Sequence, residues 1–222
     1  MPANKFLAFA LCLLLAGCAG SEKIKQPLAV AMPDPKVIQA WLDDNEPRVR
    51  EAIKDSHFEL ERGDNLLVVT APVQGTFNPD RPSMLLPVTL GPISRIAKLL
   101  ENDQGGAVLV IGHADSSGAA ETNRELSHER ARAFTAIFRL SGLKQNRLMV
   151  KGMGSDMPRA ANDSVEGRAL NRRVEIILTS KDTMPALVAK YSQPAPAVVP
   201  AVAVASGKPQ DKEVSSNTVA SE

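Results

Sequence analysis

Hydrophobic residues in the middle of the chain follow two patterns. Three short apolar runs, at residues 107–111, 147–151 and 174–178, predict strands, because their length is typical of strands and turn-forming residues lie near their ends. Two longer segments, about 93–100 and 123–138, carry apolar residues at helical spacing and predict helices, the second of which is expected to stop at residues 141–142. Strands and helices mixed in this way indicate an α+β fold.

The N-terminal half carries weaker patterns. Residues 58–61 and 66–70 predict a hairpin that turns at 62–65. Residues 34–57 predict short helices, because Asp34 is a suitable N-cap and Pro35 suits the first helical position, while Pro47 is expected to divide the segment in two. These helices either pack as a collar on the domain or bind a partner. Irregular chain is expected at 82–90 and a turn-rich loop at 152–167.

Composition excludes several classes of function. Lys and Arg total 26 against 25 Asp and Glu, so the net charge of +1 gives no bulk attraction to nucleic acid. Aromatic residues make up only 4% of the chain, which disfavours a base-stacking surface. The two cysteines, Cys12 and Cys18, lie at the extreme N-terminus, so they supply neither a disulfide framework nor a cysteine metal site.

The N-terminus has the pattern of an export signal. Lys5 precedes an apolar run over residues 6–16, which is too short for an ordinary membrane-spanning helix and typical of a signal peptide. The run ends in Leu-Ala-Gly-Cys at residues 15–18, which resembles the bacterial lipobox. This resemblance implies a signal peptide at 1–17 and acylation, with palmitate as one expected chain, at Cys18. Ala19 in place of an inner-membrane retention aspartate implies an outer-membrane lipoprotein on the periplasmic face. Residues 18–33 are expected to form a flexible tether.

The C-terminal segment 182–222 is rich in proline and alanine. Proline at this density opposes a long helix, and the few large side chains cannot compensate the entropy of ordering. The sequence therefore predicts a disordered tail, which leaves one folded domain at 58–181.

The candidate site begins with Asp115, in the loop between the strand at 107–111 and the helix that follows. Asn123, Leu126 and Arg130 fall at i, i+3 and i+7 on that helix, so they lie on one stripe. If the helix folds back over the strand, a carboxylate and a guanidinium face one small space. Such a pair suits a zwitterion, because Asp115 can take an ammonium group and Arg130 a carboxylate through two parallel hydrogen bonds.

Four sequence blocks around these residues resemble the OmpA-like peptidoglycan-binding domain. They are Gly-His-Ala-Asp at 112–115, Asn-x-x-Leu-Ser-x-x-Arg-Ala at 123–131, Gly-x-Gly-x-x-x-Pro at 152–158 and Gly-Arg-x-x-Asn-Arg-Arg-Val-Glu at 167–175. The resemblance implies a βαβαββ sheet with helices packed on one face and a domain that binds the diaminopimelate of the peptidoglycan stem peptide. Ala114 stands where the family usually has threonine, which removes a hydroxyl group from the site.

The resemblance also implies a role for each matching residue. Asp115 and Arg130 would hold the ligand, Asn123 would add a polar contact, and Leu126 would form the floor of the pocket. Arg172 would lean toward the ligand carboxylate. Arg168 and Asn171 would support the loop.

Other functions were weighed against this one. His113 beside Asp115 could indicate a hydrolase or a metal site, but no further histidine stands at a suitable spacing, so we expect no enzyme, cofactor or metal. The expected partners are peptidoglycan and, through the lipid anchor, the membrane, with no nucleic acid. The alternative function is a structural lipoprotein subunit of an envelope machine such as a secretion system, whose protein partners are positioned by the grip on the wall.

Overall fold

A computed structural model describes residues 34–192, and the predicted signal peptide, Cys18, the tether up to residue 33 and the tail from residue 193 lie outside the described residues. The elements follow in the order α1 (Pro35–Ile53), β1 (Glu59–Arg62), β2 (Leu67–Pro72), β3 (Phe77–Asn78), β4 (Arg81–Leu85), α2 (Pro87–Asn102), β5 (Gly106–Gly112), α3 (Ala120–Leu140), β6 (Leu148–Gly152), α4 (Val165–Asn171), β7 (Arg173–Ser180) and α5 (Met184–Ser192). Within this part of the chain, no helix is both long enough and apolar enough to cross a membrane.

The main sheet has five strands in the order β1-β2-β7-β5-β6. β5 and β6 run parallel and are joined by α3, while the other neighbouring strands are antiparallel. β3 and β4 form a separate two-stranded sheet. This arrangement confirms the predicted α+β class.

The larger core lies on the sheet face that α1, α2 and α3 cover. Its fully buried members include Leu42 from α1, Ile93 and Ile96 from α2, and Phe134 and Phe138 from α3. They pack on valine, isoleucine and leucine side chains that alternate along β5 and β7. The hydrophobic stripe expected on α3 therefore faces the sheet.

The segment 34–57 forms one helix and not two, so the expected break at Pro47 was wrong. Leu42 and Val49 are buried on either side of the proline, while Pro47 itself is exposed. A proline removes the hydrogen bond to the carbonyl four residues earlier, and that carbonyl belongs to Asp43, an exposed residue that water can reach. The helix packs on α2 and the sheet, which is the collar arrangement.

A helix also occupies part of the predicted disordered tail, so that prediction is corrected for residues 184–192. Met184 and Leu187 of α5 are buried against Leu109, Ile111 and Ile177 on the second face of the sheet. Pro185 does not oppose this helix, because the first turn tolerates proline. α1, α2 and α3 therefore lie on the predicted face of the sheet, and α5 packs on the other face.

Two shorter elements were also missed. β4 and the first turn of α2 fall in the segment 82–90 that was expected to be irregular, and α4 begins inside the predicted loop 152–167. Ser164 caps α4, because its Oγ accepts a hydrogen bond from the Gly167 N–H at 2.9 Å.

Candidate functional site

The site forms where α3 lies directly on the ends of β5 and β6. Gly112 and Gly152 face each other across these two strands. A Cβ atom at Gly112 would lie 1.9 Å from the Ser127 backbone oxygen, and one at Gly152 would lie 2.5 Å from the His128 nitrogen. Only glycine permits this close approach. It brings the first half of α3 beside the loop that carries Asp115.

Asp115 is buried at the start of this loop. Its Oδ1 accepts the Ser117 backbone N–H at 2.8 Å, and its Oδ2 accepts Arg172 Nη1 at 2.5 Å. An ionised carboxylate offers about four acceptor positions, so two accepted bonds leave capacity for a further donor. Burial opposes ionisation most strongly, but the hydrogen bonds from Arg172 and Ser117 outweigh it and hold the pKa of Asp115 below its usual value.

Arg130 is buried on α3 and is fixed by the small sheet. Its Nε donates to the Pro82 backbone oxygen at 2.8 Å, and its guanidinium lies 5.6 Å from the centre of the Phe77 ring. Within residues 34–192, the two Nη groups have no hydrogen-bond partner in the protein. The fork of Arg130 is therefore held in place with both terminal donors available.

Asp115, Arg130 and Arg172 form one electrostatic group. Burial and the charge of Arg172 lower the pKa of Arg130, and Asp115 opposes this shift. The Asp115 side chain is 9% exposed, whereas that of Arg172 is 35% exposed. Two guanidinium groups against one carboxylate leave an excess of positive charge, which favours a ligand with a carboxylate. The structure thus brings together the two residues of the expected pair and adds Arg172 as the direct partner of Asp115.

Asn123 lies in the first turn of α3 and holds the Asp115 loop. Its Nδ2 donates to the Asp115 backbone oxygen at 3.1 Å and to the Ser117 backbone oxygen at 2.8 Å. Leu126 is half-buried, one turn before Arg130, and its role as the pocket floor stays a prediction. The neighbouring Ala114 is buried, and its N–H donates to the Gly154 oxygen at 2.8 Å.

Arg168 and Asn171 brace the chain that leads to Arg172. The fully buried Asn171 accepts hydrogen bonds from the backbone N–H groups of Arg159 and Ala160, at 2.7 and 3.0 Å. Arg168 donates from Nη1 to the backbone oxygens of Asn162 and Asp163, at 2.9 and 3.1 Å. Both side chains thus organise the loop, which is the arrangement that their predicted role requires.

Sequence reasoning missed three contributors to the site: Phe77, Pro82 and Asn162. Pro82 contributes a backbone oxygen, so its identity gave no chemical signal. Phe77 is an apolar residue, so its side-chain chemistry did not indicate a place in a binding site. Asn162 lies in a loop where several polar residues stand together, and nothing in the pattern distinguished it from them.

A second charged cluster lies on the opposite face of the sheet, directly behind the site. Arg173 Nε donates to Glu175 Oε1 at 2.7 Å, and His113 Nε2 lies 3.5 Å from Glu175 Oε2. This last distance is too long for a good hydrogen bond, and both ring nitrogens of the buried His113 lack a partner within the described residues. Burial lowers the pKa of His113. Burial raises the pKa of Glu175, but His113 and Arg173 outweigh it and lower the value to about 2.

Comparison with known proteins identifies the region that contains this geometry. Residues 76–172 match the model of the OmpA family. The chain contains an OmpA family domain. Every residue that the sequence nominated for binding or loop support lies inside the matched segment, whereas α1, β1 and β2 precede it. Across residues 34–192, no group of three or more His, Cys, Asp and Glu side chains could hold a metal ion.

Curated relatives and solved structures extend over more of the chain than the OmpA family domain. The probable lipoprotein YiaD of Escherichia coli is 30% identical over 139 residues, which are 63% of this chain and 63% of YiaD. The outer-membrane lipoprotein YfiB of Pseudomonas aeruginosa is 28% identical over 80% of this chain and 95% of its own length. The cell wall anchor of the type VI secretion system of Pseudomonas aeruginosa has a TM-score of 0.51 at 28% identity and covers 67% of this chain and 99% of its own.

Proposed function

We propose that the protein binds peptidoglycan without covalent attachment and without turnover, and that the diaminopimelate of the stem peptide is the ligand. The observation that carries this proposal is that the buried Asp115 carboxylate lies in the same site as the Arg130 guanidinium, whose terminal donors have no hydrogen-bond partner within residues 34–192. The chain spans only about two thirds of YiaD, so the role of the whole protein belongs to the proposal as well.

Arg130 is the proposed carboxylate receptor. Its Nε is occupied by the Pro82 oxygen, which leaves Nη1 and Nη2 to form two parallel hydrogen bonds with one carboxylate. The surrounding burial strengthens these bonds relative to water. Because the free side-chain carboxylate of diaminopimelate is absent from lysine, this contact distinguishes the two residues.

Asp115 is the proposed receptor for the ammonium group of the same ligand. Arg172 contacts only one of its oxygens, at 2.5 Å. An incoming ammonium either shares Asp115 with Arg172 or displaces it. In both cases Arg172 remains close enough to add a donor to the ligand carboxylate. Asn123 keeps the loop in place while this exchange occurs.

The anchor completes the proposal. Acylation of Cys18 would hold the chain on the periplasmic face of the outer membrane, because two or more acyl chains give durable membrane attachment. The site would then tie that membrane to the wall. The likeness to the lipoproteins YiaD and YfiB supports this part.

The likeness to the secretion-system wall anchor favours a second candidate function. In that case the protein is a structural subunit of an envelope machine, and wall binding positions the assembly. Crosslinking in cells from an exposed position of α1, such as Arg48, separates the two functions. A general tether gives no specific protein adduct, whereas a machine subunit gives one.

The proposed function is tested by sedimentation of the full-length chain with purified sacculi, with free meso-diaminopimelate as competitor. We expect binding that diaminopimelate reverses and lysine does not. The sacculi should release no soluble fragments, because the site supplies binding groups and no assigned nucleophile. Absence of binding, or competition by lysine as strong as by diaminopimelate, would contradict the proposal.

A further inference from the structure

The Asp115 loop and the segment before Arg172 are joined through the side chain of Asn162. The Ser116 N–H donates to Asn162 Oδ1 at 3.1 Å, and Asn171 Nδ2 donates to the same oxygen at 3.0 Å. Ser116 directly follows Asp115, and Asn171 directly precedes Arg172. One side-chain oxygen therefore links the immediate neighbours of both members of the ion pair.

The Asn162 side chain is suited to hold these two segments at a fixed distance, and we call it the spacer. A carbonyl oxygen has two lone pairs, so Oδ1 can accept both N–H groups at once. The backbone of Asn162 is held as well, because its oxygen accepts Arg168 Nη1 at 2.9 Å. Asn171 is in turn fixed by three bonds to the backbone of residues 159 and 160. The spacer is thus anchored at both ends.

No other side-chain hydrogen bond does the same work. Among the described residues, the Asp115 loop at 115–118 has only two side-chain links to residues 155–172, namely the Arg172–Asp115 ion pair and the Asn162 bond. Asn123 holds the same loop from the opposite side, on α3. If the ion pair opens when a ligand arrives, Asn162 is the remaining side-chain connection between the loop and the Arg172 segment. The nearest backbone bond runs from the His113 N–H to the Arg173 oxygen at 2.9 Å, and it lies two residues before Asp115.

We infer that Asn162 is a positioning residue for the site, and that its side-chain oxygen sets the distance between Asp115 and Arg172. This inference rests on the proposed function only for its effect on ligand affinity. Its effect on the ion pair can be measured without any ligand.

The test compares Asn162→Ala with the parent in the full-length chain, with Asn146→Ala as the matched control. Asn146 is exposed in the turn before β6 and makes no side-chain hydrogen bond within the described residues. Two quantities are measured: the titration of the Asp115 carboxyl by carbon NMR, assigned with Asp115→Asn, and the affinity for sacculi. The charged groups near this carboxyl are Arg172, from the α4–β7 junction, and Arg130, from α3.

Without the spacer, Arg172 is expected to sit less closely on Asp115. The pKa of Asp115 should then rise toward the ordinary value of about 4, and affinity should fall about three- to tenfold, the effect of one hydrogen bond. The Asn146 variant should change neither quantity. Should Asn162→Ala unfold, Asn162→Ser, which keeps a shorter hydroxyl group, should show the same changes to a smaller degree.

Three results are decisive. An unchanged Asp115 titration in a folded Asn162 variant overturns the inference. Weaker affinity with an unchanged titration also overturns it, because Asn162 would then act on the ligand directly. A shifted titration in a chain whose parent does not bind sacculi supports the positioning role and contradicts only the proposed function.

Discussion

The ends of β5 and β7 carry an arginine–carboxylate pair on each side of the sheet. The two pairs differ in the exposure of the arginine, while the carboxylate side chains are similarly buried, at 9% for Asp115 and 11% for Glu175. Arg172 pairs with Asp115 on the side of α3, whereas the next residue, Arg173, pairs with Glu175 on the opposite face. The Arg172 side chain is 35% exposed and the Arg173 side chain 6% exposed. The same two chemical groups therefore form an open pair in one place and a closed pair in the other.

We interpret the closed pair as a structural brace and the open pair as part of the proposed binding site. The closed pair has additional protein partners, because Arg173 also donates to the backbone oxygens of Asn171 and Met157, both at 3.3 Å. The open pair has spare acceptor positions on Asp115 and lies beside the unused donors of Arg130. The proposed ligand site is therefore the first pair and not the second. Both arginines lie in the sequence block at 167–175, and only the structure shows which carboxylate each one contacts.

The largest expected effect comes from breaking the closed pair. Arg173→Met keeps a long apolar side chain but leaves the Glu175 carboxylate buried without its partner. We expect the free energy of unfolding to fall by about 3 to 5 kcal/mol, since a buried charge loses its compensation. Chemical denaturation measures this, with Arg139→Met at an exposed site of α3 as the control. A loss below about 1 kcal/mol would mean that the pair is not a structural brace.

Breaking the open site should change binding more than stability. Asp115→Ala or Arg130→Ala should weaken binding to peptidoglycan by about 2 to 5 kcal/mol, which is roughly 30-fold to several thousand-fold. The control for Arg130 is Arg132→Ala, two residues along α3 and exposed. Arg130→Lys keeps the charge but loses the fork, so its loss of affinity should be smaller. Equal affinity of folded Asp115→Ala and the parent would exclude Asp115 from the site.

Acid should weaken binding at the open pair, because it protonates the Asp115 carboxylate. The pKa of Asp115 is held below its usual value, so the ion pair and ligand capture are present at neutral pH and are lost as the pH falls through that lowered value. Binding should therefore persist down to about pH 4, the ordinary aspartate range, and fade below it. Sedimentation with sacculi between pH 7 and pH 2.5 measures this, with circular dichroism as the check on folding. Loss of binding well above pH 4 in the folded protein would show that another group controls capture.

The smallest effect concerns His113 in the closed cluster. Burial lowers its pKa, so the unfolded chain takes up a proton at a higher pH than the folded chain does. Stability should then decrease as the pH falls below about 6.5, by at most about 1.4 kcal/mol per pH unit. His113→Gln should flatten this dependence. A parent protein with equal stability at pH 7.5 and 5.5 would contradict the assignment.

Local hydrophobic patterns in the sequence predicted the central strand and helix of the fold. The continuous apolar run at 107–111 predicted β5, because a strand buried on both faces needs no polar positions. The helical spacing of apolar residues within 123–138 predicted α3. Elements decided by contacts distant in sequence were not predictable. Pro47 stays inside α1 because Leu42 and Val49 anchor the helix on both sides of it, and α5 forms because Met184 and Leu187 fill a gap on the second face of the sheet.

The charged residues of the candidate site could be predicted from the sequence, but the contacts that hold them in place could not. Asp115 and Arg130 are named by side-chain chemistry and spacing, and Arg172 by the resemblance to the OmpA-like domain. The backbone oxygen of Pro82 and the spacer at Asn162 depend on how distant loops meet, which no local pattern records. The contact between Arg172 and Asp115 also joins residues that are distant in the sequence, so no local pattern predicted it.

The central claim is that Asp115 and Arg130 together recognise one carboxylate–ammonium centre. Calorimetric titration of the full-length chain with two stem tripeptides tests it most directly, one carrying meso-diaminopimelate and the other lysine at the third position. These ligands differ by the single carboxylate that Arg130 is proposed to hold. The account predicts binding of the first that is at least about 30-fold tighter, an advantage that Arg130→Ala abolishes. Equal affinity of the parent protein for both tripeptides would contradict it.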